Sequence, residues 1–318
     1  MSYFISCLLI VLAFIFGATC SNGDRAQFYK ECLQRCNIRN CTADLEYKIS
    51  PPIELKLLSW TCDDDCRYNC MWKTVEYFTS HGSRVPQFHG KWPFVRMLGL
   101  QEPASVFFSV LNFLAHFMMY KRFRKEVRPS NPMYSAWTYF SVVCMNGWMW
   151  STVFHARDKA FTEMMDYCCA FTMVLTLLYC MLLRIAFKCY KVMAFLTGVY
   201  MIILYTHLSH LWSGNINYGY NMQFNIALGF LSFAISMIWW YRNRRILAHV
   251  TFVGWFNVLT VFVTLLEIAD FPPIFWTFDA HALWHASTAP LAIILYRFII
   301  EDCKYLQRVY EKSPLDAE

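Results

Sequence analysis

Charged side chains are scarce in this chain of 318 residues. Asp, Glu, Lys and Arg together account for 16% of it, whereas 57% of the residues are hydrophobic and 19% are aromatic. An average soluble domain is charged at about a quarter of its positions, so this composition excludes an ordinary soluble globule and predicts an integral membrane protein. The formal net charge is +6, which we attribute to membrane topology. Nucleic-acid binding is not indicated.

Several catalytic and assembly signatures are missing as well. The sequence contains no glycine-rich phosphate loop, no Gly-x-Ser-x-Gly nucleophile elbow and no heptad repeat. These absences remove the sequence basis for a P-loop nucleotide hydrolase, for an α/β serine hydrolase and for a coiled coil. We therefore look for chemistry among the polar residues of the apolar segments, where ionisable groups are functional candidates by default.

The first twenty residues, 1–20, predict a signal peptide. They contain an apolar run from Cys7 to Phe16, which the small residues Gly17 and Ala18 follow. This pattern is typical of a cleaved secretory signal. The alternative is a first membrane anchor, but an anchor needs about 20 apolar residues and this run is shorter.

The stretch 21–96 is more polar and predicts a disulfide-rich luminal domain. Its six cysteines lie in two clusters of three, and C-x3-C spacings in both favour two helices stapled together. Six cysteines allow fifteen pairings, so the connectivity stays open. A zinc site is the less favoured alternative, because no histidine occurs in this stretch before His81. Asn40 starts a glycosylation sequon. The disulfide candidates are Cys32, Cys36, Cys41, Cys62, Cys66 and Cys70.

Seven apolar stretches follow, and each is close to the length that crosses about 30 Å of hydrocarbon. We therefore expect an all-α membrane protein, with a bundle of seven transmembrane helices over 97–300 and a cytosolic tail over 301–318. The stretches are 103–120, 134–153, 165–187, 192–211, 222–241, 246–266 and 276–299. Basic residues cluster in the connections that this topology places in the cytosol, whereas the luminal connections hold only Arg157 and Lys159. The bias agrees with the positive-inside rule.

Three histidines lie where this topology brings helix ends together at the luminal face. His155 follows the second span, and His281 and His285 lie near the start of the seventh, four residues apart. Residues at i and i+4 share one helix face, so this pair can bind one ion. Three imidazoles with an open fourth position are the ligand set of catalytic zinc. Ser151 and Asp166 fall on the same side of the membrane, and we take both as candidate catalytic residues.

Each of these residues also has a purely structural interpretation. A single histidine in a membrane helix is often a hydrogen-bonded packing residue. Asp166 could cap the third span or pair with Arg157, and Ser151 could bond the carbonyl one turn earlier. The convergence of polar residues from three distant segments on one face favours the metal site.

These residues and their surroundings resemble a known group of membrane proteins. The set Ser151, His155, Asp166 and His281-x3-His285 is similar to the signature of a seven-span hydrolase superfamily that includes alkaline ceramidases and the progestin and adiponectin receptors. The resemblance to the Per1-like family is closer and covers nearly the whole chain. It is carried by the segments CDDDCRYNCMW, VPQFHGKWPFVRMLGLQEPASV, NGWMWSTVFHARDKAFTEMMDY and LLEIADFPPIFWTFDAHALWHASTAP.

The resemblance implies a lipid-remodelling enzyme of the secretory pathway, in Golgi membranes or the endoplasmic reticulum. Its substrate would be a GPI-anchored protein, from whose phosphatidylinositol it removes the sn-2 acyl chain, as a GPI-specific phospholipase A2. The residues fit this chemistry if Zn²⁺ is held by the three histidines, with Asp166 moving a proton, Ser151 stabilising the oxyanion and Asn146 giving weaker support. Two alternatives stay open: a ceramidase-like amidase, and a receptor or cargo escort whose metal is only structural.

Overall fold

The computed structural model describes residues 21–213 and 217–312, and the signal peptide expected at 1–20 lies outside the described residues. Within these ranges the regular structure is helical, with a few isolated β-bridges. The chain divides into two compact units. The cysteine-rich unit comprises the described residues up to Pro103 together with Glu267–Ala280, and the span unit comprises Ala104–Leu266 and the described residues from His281 onward.

The described part of the cysteine-rich unit contains three helices: α1 (Gln27–Asn40), α2 (Ile53–Leu57) and α3 (Cys62–Ser80). The start of α3 is fixed by a capping box, in which the Thr61 hydroxyl accepts from the Asp64 amide and the Asp64 carboxylate accepts from the Thr61 amide. Such a cap satisfies amides that have no partner within the first turn of the helix.

Disulfides join α1, and Cys41 directly after it, to α3, as the cysteine spacing predicts. The three bonds are nested, so that the first cysteine of one cluster pairs with the last cysteine of the other, which is the pairing expected of two antiparallel helices. Because these sulfur atoms are bonded to each other, they offer no thiolate to a metal, and the zinc alternative for this region does not apply. The bonds are Cys32–Cys70, Cys36–Cys66 and Cys41–Cys62.

The late segment Glu267–Ala280 packs within the cysteine-rich unit. The Asp270 carboxylate accepts a hydrogen bond from the Trp92 indole at 2.5 Å. The backbone amide of Val95 donates to the carbonyl of Trp276 at 2.9 Å. The Trp276 ring meets the edge of Trp72, with ring centroids 5.2 Å apart. These contacts come from a part of the chain that immediately precedes His281.

The described residues of the span unit form seven long helices, and a short 3-10 turn, Ala248–Val250, precedes the sixth of them. Helix α6 packs against α5, α7 and α8. The helices are α4 (Pro103–Glu126), α5 (Tyr134–Ala156), α6 (Ala160–Ala186), α7 (Tyr190–Leu211), α8 (Tyr218–Asn243), α9 (Thr251–Ile268) and α10 (Ala280–Lys312).

Six of these helices, all except α5, are long and apolar enough to cross a membrane. Helix α5 has sufficient length at 23 residues, but polar residues such as Asn146, Ser151 and His155 lower its hydropathy. The seven predicted segments therefore all contain helices, and length and composition support a span for six of them. The last helix, α10, does not end near residue 300 as predicted. It continues to Lys312, so the start of the predicted tail is helical.

A buried ionic cluster links three parts of the span unit. Asp302 of α10 is 0% exposed and accepts two hydrogen bonds from the guanidinium of Arg184 at the end of α6. Its second interaction is with Nε2 of His249, in the turn before α9, at 3.0 Å. The side chain of Arg184 is 5% exposed, so both charges are removed from solvent and depend on each other.

Candidate metal centre

Three imidazole rings converge where α5 ends and α10 begins. His155 lies in the last turn of α5, His281 in the first turn of α10, and His285 one turn later on the same face. Nε2 of His281 is 3.3 Å from Nε2 of His155 and 2.8 Å from Nε2 of His285. Both His155 and His285 are 2% exposed. The structure thus brings together the three histidines that the sequence pattern selects.

The geometry of the three rings suits a metal ion. Zinc binds imidazole nitrogen at about 2.0–2.1 Å in tetrahedral sites, which places two such ligand atoms roughly 3.3 Å apart. The Nε2 separations of 3.3 and 2.8 Å are close to this value. Ring nitrogens that face one another in a buried place repel through their lone pairs unless a proton or a cation lies between them. These three histidines could therefore hold a metal ion, and three imidazoles are a donor set of catalytic zinc.

Aromatic rings hold two of the imidazoles in position. Trp148 of α5 meets His285 edge-on, with ring centroids 5.3 Å apart. Trp284 stacks on His281, with centroids 5.5 Å apart and an interplanar angle of 21°. Ring packing of this kind limits rotation of the imidazoles. It also surrounds the site with apolar surface, which strengthens electrostatic interactions there.

Helix α4 supplies two polar side chains that the sequence interpretation missed. The hydroxyl of Ser109 lies 3.2 Å from Nδ1 of His285 and 3.2 Å from the hydroxyl of Ser151. The amide of Asn112 donates to the backbone carbonyl of His285 at 2.7 Å. Ser109 therefore contacts the ring of His285, while Asn112 anchors its backbone.

A periodic signal in the sequence marks this face of α4. Ser105, Ser109, Asn112 and His116 recur at intervals of four, three and four residues, which is the spacing of one helix face. All four are buried. We call them the polar stripe of α4. A polar stripe on an apolar helix predicts a buried partner, so the signal was present, although no motif distinguishes Ser109 within it.

Ser151, Asp166 and Asn146 lie on α5 and α6. Ser151 is buried one turn before His155 and joins the site through Ser109. Asp166 is half-buried near the start of α6, which packs against α5. The amide of Asn146 donates to Sγ of Cys169 at 3.2 Å, so it ties α5 to α6. The catalytic roles of Ser151 and Asp166 and the supporting role of Asn146 stay predictions.

Comparison with known proteins decides the family. A model of the Per1-like family matches residues 52–303. The chain belongs to the Per1-like family. The match contains all three histidines and Ser151, and it confirms the resemblance that the sequence motifs carry.

Curated relatives of the Per1-like family cover most of the chain. The chain is 44% identical over 289 residues to "GPI-specific phospholipase A2-like PGAP3" of Mus musculus, covering 90% of both proteins. It is 41% identical to the protein of the same name from Homo sapiens, covering 94% of this chain and 95% of the relative. It is 40% identical to "Post-GPI attachment to proteins factor 3" of Drosophila melanogaster, covering 92% of each. No solved structure matches this chain.

Proposed function

We propose that this protein is a zinc-dependent lipid hydrolase that removes the sn-2 acyl chain from the phosphatidylinositol of GPI-anchored proteins. The observation that carries the proposal is the meeting of three imidazole Nε2 atoms between α5 and α10. The relatives' names support the substrate, because they describe a GPI-specific phospholipase A2-like protein.

The residues around the site fit hydrolysis of an ester. Zinc held by His155, His281 and His285 would supply Lewis-acid polarisation of a carbonyl and a water of lowered pKa. Ser151 donates a hydrogen bond to the carbonyl oxygen as negative charge develops there, a contact worth about 2.7–4 kcal/mol in other hydrolases. Asp166 accepts the proton of the attacking water and returns a proton to the departing alkoxide. Asn146 supports these groups by tying α5 to α6 through Sγ of Cys169.

We further propose that the site faces the lumen of the secretory pathway, in the Golgi or the endoplasmic reticulum. Disulfides persist in oxidising compartments, which favours a luminal cysteine-rich unit and agrees with a signal peptide at 1–20 and a glycan on Asn40. Basic residues in the opposite connections support the same orientation. A site between membrane helices suits a lipid substrate, because the acyl chain can reach it without leaving the bilayer.

The proposal is tested in cells that lack this protein, by restoring variants and measuring the lipids of GPI anchors by mass spectrometry. Alanine at His155, His281 or His285 should leave the unsaturated sn-2 chain in place, because each change removes one of the three metal ligands. His210→Ala is the matched control, since this histidine is an exposed residue in the last turn of α7. The control should remodel anchors like the wild type.

The same variants separate the alternatives. Elemental analysis of purified protein should find zinc in the wild type and a loss of zinc when all three histidines are alanine. If the single variants all produce lyso-GPI at the wild-type rate, the hydrolase proposal is wrong. Ceramide that accumulates in deficient cells would instead favour an amidase, and unchanged lipids with bound metal would favour a receptor or escort.

A further inference from the structure

The hydroxyl of Ser109 touches two functional residues at once. Ser109 lies on α4 and is 0% exposed. Its Oγ is 3.2 Å from Nδ1 of His285 on α10 and 3.2 Å from Oγ of Ser151 on α5. A single buried atom therefore connects a proposed metal ligand to the proposed oxyanion donor.

We propose that Ser109 is a positioning residue that sets the tautomer of His285 and the direction in which Ser151 donates its proton. The inference rests on the proposed function, because it assigns Ser109 to the same site. Ser109 itself does not touch the substrate. It acts through His285 and Ser151.

The hydrogen count determines the direction of each bond. His285 directs Nε2 towards the other imidazoles. A nitrogen that binds a metal must carry a lone pair, so the ring hydrogen of neutral His285 is on Nδ1 and is donated to Ser109. The hydroxyl of Ser109 has one hydrogen, which is then directed to Oγ of Ser151. Ser151 accepts this bond and keeps its own hydrogen for another acceptor, which in the proposed reaction is the ester oxygen.

The opposite direction of these two hydrogen bonds is incompatible with the proposed metal site. If Ser109 donated to Nδ1 of His285, the ring hydrogen would be on Nε2 and the nitrogen that faces His281 could not bind a metal. Ser151 would then have to donate to Ser109 or find another acceptor. One hydroxyl therefore couples metal binding to the availability of the Ser151 proton.

Ser105 provides a matched control on the same helix. It lies one turn before Ser109 and is also buried, yet its hydroxyl has no hydrogen-bond partner within the described part of the chain. Replacing either serine by alanine removes the same oxygen atom from a buried helix face. Only the change at Ser109 removes contacts with His285 and Ser151.

The first measurement is zinc affinity, determined on the purified full-length protein by competition with a chelator. Ser109→Ala should bind zinc about 10–100-fold more weakly, as expected when the partner that orients a ligating histidine is lost. Ser105→Ala should stay within about twofold of the wild type. Ser109→Thr, which keeps the hydroxyl, should recover most of the affinity. Equal zinc affinity in Ser109→Ala and Ser105→Ala would overturn the inference.

The second measurement separates the two contacts of Ser109 by the turnover of a GPI lipid at saturating zinc. Ser109→Ala should lower kcat with little change in KM, because Ser109 does not contact the substrate. In a Ser151→Ala background, the same change should lower zinc affinity as before but have much less effect on kcat, since the donor that Ser109 directs is already missing. If Ser109→Ala lowers kcat by the same factor in the wild type and in the Ser151→Ala background, the coupling of Ser109 to Ser151 is contradicted.

The outcomes also distinguish this inference from the proposed function. A wild-type protein without zinc or without lipase activity would refute the function itself. An active, zinc-binding wild type whose Ser109→Ala variant behaves like Ser105→Ala would refute only the role of Ser109. Thermal unfolding of both alanine variants shows whether the comparison is made between equally folded proteins.

Discussion

Replacing Asp302 by alanine should strongly destabilise the span unit. The substitution leaves the guanidinium of Arg184 buried without its carboxylate, and it removes the interaction with His249. Breaking a buried ion pair by removing one partner costs about 3–5 kcal/mol, because the remaining charge stays desolvated. For a domain of this size each kcal/mol corresponds to about 2–4 °C, so the melting temperature should fall by about 6–20 °C.

The control lies next to Asp302 on α10. Glu301 is 42% exposed and pairs with Lys304 at 3.1 Å, and an exposed pair of this kind contributes at most about 1 kcal/mol. Thermal unfolding of the detergent-purified protein should therefore show a small shift for Glu301→Ala and a large one for Asp302→Ala. The double variant Arg184→Met, Asp302→Leu should recover most of the loss, since it buries no charge. A double variant as unstable as Asp302→Ala would refute this reasoning, as would equal shifts for the two alanine variants.

Two further predictions concern other parts of the chain. Gly254→Ala should lower the melting temperature by several degrees, because the new Cβ would lie 2.7 Å from Nε1 of Trp240. Gly198→Ala is the control, since its Cβ would meet no heavy atom within 4 Å. This control should be neutral or stabilising by about 0.5–1 kcal/mol. Burial raises the pKa of Tyr29 to about 12. As the pH rises above 10, the Tyr29 hydroxyl therefore ionises in the unfolded state before it ionises in the folded state. The stability that the buried Tyr29 contributes is complete below pH 10 and is lost as the pH rises towards 12. Denaturant unfolding across this range should show a difference between wild type and Tyr29→Phe that changes with pH, and an absorbance titration that finds an ordinary pKa for Tyr29 would contradict this.

The histidines of the site could be predicted because their signal is local and strong. His281 and His285 share a helix face by spacing alone. The predicted alternation of seven spans then leads us to expect the end of α5 and the start of α10 on one side of the membrane. Neither step requires knowledge of how the helices pack.

Other features depend on packing that a single sequence does not contain. The pairing of Cys32 with Cys70 is one of fifteen possible arrangements until the antiparallel course of α1 and α3 is known. Ser109 differs from Ser105 only in what faces it across the helix interface. From the sequence, the late segment that holds Asp270 looks like a simple connection between spans. Its contacts with Trp92 and Gln87 join residues more than 170 positions apart, and a single sequence does not reveal them.

The seam between α4 and α10 joins the first of the span helices to the last. Ser109, Asn112 and His116 of the polar stripe have partners on α10 that lie 173 to 180 residues later in the chain. During synthesis, α4 must therefore enter the membrane long before the helix that satisfies it has been translated. Unpaired polar groups in hydrocarbon cost several kcal/mol each, so a nascent chain without α10 would expose an unsatisfied face to lipid. The residues that organise the site would then also mark an unfinished chain for retention or degradation.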